Sequence, residues 1–75
     1  MKPRKGIGER ITQLRRERTW TLKTAGEKWG LSTQALSLME CGKQIPKADD
    51  IRRIADCCGV SADWILGRKK GRETE

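Results

Sequence analysis

An all-α domain of five short helices is what this 75-residue chain predicts, on three observations. Apolar residues recur at helical spacing in five successive segments. No stretch alternates with the two-residue period of a strand. From the second segment onward, the boundaries fall at Gly, Pro or a hydroxyl residue able to cap a helix. A chain this short has room for one core, with much of its surface wet. Residues 6–67 are read as that domain, and residues 1–5 and 68–75, basic and polar, as flexible ends.

The first helix is expected over about Ile7 to Arg18, where Ile7, Ile11 and Leu14 follow i, i+4, i+7 and Glu9, Arg10, Gln13 and Arg16 face outward. Thr21 is placed to cap a second helix, Leu22 to Trp29, although Thr24 stands where a Glu would complete a capping box. Leu22, Ala25 and Trp29 share one face of it. Gly30 can take the left-handed conformation that ends a helix, and Ser32, two residues on, is a strong N-cap for a third helix from Thr33 to Cys41. Leu36 and Met39 form its inner stripe, while Thr33, Gln34, Ser37 and Leu38 point elsewhere.

The loop CGKQIP ends at Pro46, and a fourth helix from Lys47 to Cys58 presents Ile51, Ile54, Ala55 and Cys58. Gly59 closes it. Ser61 caps a last short helix, ADWIL, with Asp63 near its positive end and Trp64, Ile65 and Leu66 expected to cover the bundle. Two helices meeting at the sharp corner of Gly30, the second with a mostly polar outer face, have the geometry of a helix-turn-helix DNA reader.

Charge agrees with that geometry. Seventeen Lys and Arg against ten Asp and Glu leave a formal +7, which favours a polyanionic partner, nucleic acid above all. No apolar run is long enough to span a membrane, and MKPRKGIGER lacks the apolar core of a signal peptide, so a cytosolic protein is expected. The three cysteines, Cys41, Cys57 and Cys58, have no C-x-x-C spacing, and the chain has no histidine, so no metal site and no cofactor are expected. A bridge between the adjacent Cys57 and Cys58 would be strained, which leaves free thiols in a reducing compartment and Cys58 as a small buried hydrophobe. Without His or a core large enough for a cleft, the acids and thiols have no catalytic partner, and an enzyme is not expected.

From Ile7 to Leu66 the chain resembles the lambda-repressor-like, or XRE-type (Cro/C1-type), helix-turn-helix family. The segments that carry the resemblance are IGERITQLRRER, EKWGLS, MECGKQIP and IADCCGVSADWIL, which coincide in order and spacing with all five helices of that fold. The resemblance implies that the third helix enters the DNA major groove with Thr33, Gln34, Ser37 and Leu38 at the base-contact positions. Gln34 can pair bidentately with adenine, Thr33 and Ser37 can donate, accept or touch a thymine methyl, and Leu38 offers an apolar contact. It also implies phosphate contacts from Thr21, Leu22 and Lys23 at the start of the second helix and from Gly42, Lys43 and Gln44 after the third.

The chain departs from the family in places. Leu22 stands where a phosphate-binding Gln is usual, and Lys23 or a backbone amide is left to replace it. Ala25 and Gly26 stand where a large aliphatic residue and an alanine are usual, with Trp29 in place of a leucine, which suggests a repacked core. Gly26 costs the helix about 1 kcal/mol against alanine unless it admits a close approach. By resemblance Glu40 pairs with Arg15, and Ala62 and Trp64 are the candidate dimer interface. Arg68, Lys69, Lys70 and Arg72 read equally as extra backbone affinity or as a solubilising end, and RKKGRETE as a terminus or the start of a linker.

The function expected is that of a sequence-specific transcriptional regulator, a repressor acting as a homodimer on a palindromic double-stranded DNA operator. The alternative is an antitoxin-like or other protein-interaction module in which DNA binding is secondary.

Overall fold

The structure is a computed structural model that describes residues 6–68 and 71; the expectations for residues 1–5, 69, 70 and 72–75 lie outside the described residues. Five helices follow in order: α1 Ile7–Glu17, α2 Leu22–Trp29, α3 Thr33–Glu40, α4 Ala48–Cys58 and α5 Ala62–Ile65. No strand occurs among the described residues. The helices differ from the sequence reading only at their ends, where α1, α3 and α5 stop a residue early and α4 starts a residue late.

The core takes one stripe from each helix. Ile11 and Leu14 of α1 meet Ala25 and Trp29 of α2, Leu36 of α3, Ile51, Ile54 and Ala55 of α4, and Trp64 and Ile65 of α5, with Val60 between the last two helices. Leu66 was expected to cover this cluster. Instead it caps the C-terminus of α5 and is 38 % exposed, because a helix of four residues ends before Leu66 can turn inward. Cys58 is half-buried, at the edge of the cluster, and not fully buried as read from sequence. Cys41, Cys57 and Cys58 form no disulfide with one another.

The caps act as their chemistry requires. Thr21 Oγ1 accepts from the Thr24 amide and Ser32 Oγ from the Ala35 amide, each at a helix N-terminus. Gly30 takes φ 71° as the C-cap of α2, and the next amide, Leu31, donates to Gly26 O at 2.7 Å. That closure explains Gly26: a Cβ there would lie 2.5 Å from Leu31 O, so the backbone of the turn occupies the space of a side chain. The close approach is made by the turn and not by another helix.

The end of α1 uses the same closure without a glycine. Trp20 N–H donates to Arg15 O and Thr19 N–H to Arg16 O, a Schellman motif whose left-handed residue is Thr19 at φ 56°. A β-branched residue in this region is strained. Nothing in the periodicity of the sequence signals it.

Glycine also sets how α1 meets α3. A Cβ on Gly8 would collide with Met39 O and Glu40 O, so the first turn of α1 rests directly on the last carbonyls of α3. Sequence reasoning passed over Gly8. Its importance is visible only once two segments distant in sequence are in contact.

Candidate nucleic-acid interface

α2 and α3 form the helix-turn-helix, and three tethers hold it to the rest of the bundle. Arg15 of α1 grips Glu40 with two bonds, Nε to Oε2 at 2.7 Å and Nη2 to Oε1 at 3.0 Å. Its third nitrogen, Nη1, donates to Trp20 O at 2.9 Å. One guanidinium therefore fixes both the last turn of α3 and the residue before the α2 cap. The bond to Glu40 raises the Arg15 pKa from its ordinary value, and its charge is permanent across the stability range. The two side chains are 16 % and 10 % exposed, so the pair is largely withdrawn from water.

The second tether comes from α4. Arg53 Nε donates to Trp29 O at 3.0 Å and Nη2 to Asp50 Oδ1 at 2.6 Å, while Asp50 Oδ2 accepts from the Lys47 amide. The C-terminal carbonyl of α2 is thus satisfied by a cation from α4, and the start of α4 by its own Asp50. The third tether is the Gly8 contact described above. None of the Arg53 bonds was anticipated, since i, i+3 spacing of Asp50 and Arg53 suggests only a surface pair.

What these tethers leave open is the outer side of α3. Thr33 and Gln34 are exposed, Ser37 and Leu38 are partly exposed, and all four lie together on this side with Cys41 at its end. Glu40, the sole ionisable residue of α3, is engaged by Arg15. The face presents amide, hydroxyl and apolar groups and no free charge.

The helix N-termini at this face lack the acids that the other helices carry. Acids sit in the first turns of α1, α4 and α5, namely Glu9, Asp49 with Asp50, and Asp63. The first turns of α2 and α3 have none. Their unpaired N-terminal amides and partial positive charge are therefore not cancelled locally, which suits a phosphate. Thr21 and Lys23 are exposed at the α2 end.

Two of the expected phosphate contacts are narrowed by this geometry. The Leu22 side chain packs against the core, so its backbone amide is the group left for a phosphate. In the loop after α3, Gly42 N–H donates to Met39 O, Lys43 N–H to Leu38 O and Gln44 N–H to Leu38 O. Gly42, at φ 79°, thus has neither a free amide nor a side chain to offer and serves to turn the chain. The exposed Lys43 and Gln44 side chains remain.

On the far side of the bundle, Trp64 is 6 % exposed, with the Arg10 guanidinium 5.5 Å from the centre of its ring. It belongs to the core of its own chain and cannot present its ring to a partner. Ala62 and Leu66 border a groove of about 540 Å³ between α4 and α5, floored by Ile51, Ala55 and Val60 and edged by Arg52 and Asp56. No helix among the described residues is long and apolar enough to cross a membrane. No group of three His, Cys, Asp or Glu able to hold a metal occurs among them.

The model of the helix-turn-helix domain family matches residues 7–64 of the chain. The HTH-type transcriptional regulator AnsR of Bacillus subtilis (strain 168) is 27 % identical over 66 residues, covering 88 % of this chain, and the chain spans only 57 % of AnsR. Among solved structures, SinR in complex with DNA superposes with a TM-score of 0.72 at 30 % identity, over 79 % of this chain and 95 % of that one. The P22 c2 repressor bound to a synthetic operator superposes at 0.78, over 85 % and 97 %, with 23 % identity, a likeness of fold.

Proposed function

Since the chain belongs to the helix-turn-helix domain family and has the lambda-repressor-like fold of DNA-binding transcriptional regulators, we propose that it is a sequence-specific repressor that binds a palindromic operator as a homodimer. The observation that carries this reading is the uncharged outer face of α3, with α3 tethered by Arg15 and α2 by Arg53, beside two acid-free helix N-termini. Such a face lies in a major groove while the N-termini and Lys43 meet the phosphates on either side. Thr33, Gln34, Ser37 and Leu38 are the base contacts. Thr21, Lys23, Lys43, Gln44 and the Leu22 amide are the backbone contacts. No cofactor is required, and the cytoplasm is where such a protein meets its DNA.

The two-fold contact is assigned to the groove side of α5. Ala62 and the partly exposed Leu66 supply the apolar surface, with Trp64 supporting them from beneath. Arg52 and Asp56 at the edge of the groove form no ion pair among the described residues, and opposite charges four residues apart suit an isologous contact in which each meets the other's counterpart. Selection of bound sequences from random duplex DNA, with the mass of the complex measured in parallel, tests the proposal. A dyad with half-sites about 10 base pairs, or roughly 34 Å, apart is the expected outcome. Selected sites without symmetry, bound by one chain, would reject the dimer, and absence of any sequence preference would reject the repressor.

A further inference from the structure

Leu38 is the feature of α3 that its fold does not require. Leu22 and Leu31, also partly buried, pack against the core cluster, whereas Leu38 stands outside it, on the same side as Gln34. The rest of the face limits what it can read. A guanine is forked by Arg or Lys and the amino group of cytosine is met by Asp or Glu, and α3 has none of these free, because Glu40 is held by Arg15. What remains is an amide suited to adenine, hydroxyls that suit any base, and one aliphatic side chain whose only specific target in the major groove is the C5-methyl of thymine.

We infer that Leu38 reads a thymine methyl, and that the part of each operator half-site facing α3 is defined by A·T pairs. The inference rests on the proposed placement of α3 in the major groove. Gln34 and Leu38 are one turn apart, a rise of about 6 Å, so the adenine and the thymine lie within about two base pairs of one another. The methyl covers an aliphatic surface that water otherwise wets, so its contribution is apolar burial and is independent of hydrogen bonding.

Replacing thymine by deoxyuridine tests this, because it removes the methyl and leaves the Watson–Crick edge unchanged. With the selected operator, each thymine of the half-site is replaced in turn and the affinity of the intact chain measured. One position per half-site is expected to lose about four-fold, the factor equivalent to burying one methyl-sized group. In Leu38→Ala the thymine operator binds less tightly and the deoxyuridine penalty at that position vanishes. Leu38→Met, which keeps an apolar reach, retains the penalty and serves as a folded comparator. A penalty that persists undiminished in Leu38→Ala, no methyl-sensitive thymine at all, or a half-site specified by G·C pairs opposite α3 would overturn the inference while leaving sequence-specific binding intact. Binding with no sequence preference would overturn the major-groove reading itself.

Discussion

Gln34 has the longest polar side chain at the front of α3 and is exposed there. Gln34→Ala is expected to cost about 1–3 kcal/mol on the preferred operator and to relax preference at one base pair of each half-site, most plainly an adenine. Affinities for a set of singly substituted operators read this out. An equal loss on every sequence would make Gln34 a backbone contact. Lys43 is expected to behave in the opposite way. Its amide is committed to Leu38 O, which leaves only its charge for the proposed DNA contact, so Lys43→Ala is expected to weaken binding to all sequences and to lower the salt slope by about 1. A changed consensus with an unchanged slope would assign it to base reading. Thr19 is the residue whose own backbone is under strain. Thr19→Gly keeps the Schellman closure and relieves the left-handed β-branched conformation, and a gain of about 1 kcal/mol in denaturant unfolding is expected. An unchanged or lower stability would mean that the extra freedom of glycine in the unfolded chain offsets the relief.

At the scale of elements, the orientation of α3 depends on Arg15 more than on Glu40. Removing Glu40 leaves Arg15 its bond to Trp20 O, whereas removing Arg15 frees both that carbonyl and the Glu40 carboxylate. Glu40→Ala and Arg15→Ala are each expected to destabilise by roughly 3 kcal/mol, Arg15→Ala by more, with part of the loss recovered in the double variant. Strictly additive losses in denaturation would show that the pair contributes nothing as a pair. Gly8 and Gly26 act at this scale too. At each, backbone occupies the space of a side chain, so α1 touches the end of α3 and α2 touches its own turn. The ring of Trp29 is wholly buried and meets Trp20 edge to face at 6.0 Å.

For the whole molecule, the proposed function gives the two ends of the bundle separate tasks, DNA for α2 and α3 and a second copy for the α4–α5 groove. Separate tasks are separable by mutation. Leu66→Asp places a charge on the exposed leucine of the groove side and is expected to shift the monomer–dimer equilibrium toward monomer in sedimentation. Affinity for a single half-site stays unchanged while affinity for the full operator falls. If both fall together, the groove is not independent of the DNA face; if neither does, the dimer uses another surface.

The helices, their caps and the inward stripes were legible in the sequence, because each depends on residues within one or two turns. Ile11 and Leu14, Leu36 and Met39, Thr21, Ser32, Gly30 and Gly59 all take the places that spacing assigned them. The outward position of Thr33, Gln34, Ser37 and Leu38 follows from the same period. What the tertiary structure decided is which of the remaining groups are already occupied. Leu22 turns to the core, the amides of Gly42, Lys43 and Gln44 fold back on α3, Trp64 is enclosed and Leu66 is not. Arg53 reaches the end of α2 twenty-four residues away, and Gly8 gives way to the carbonyls of Met39 and Glu40. Periodicity tells on which side of a helix a residue lies. Only the approach of distant segments determines whether its amide, charge or surface is still free to meet a partner.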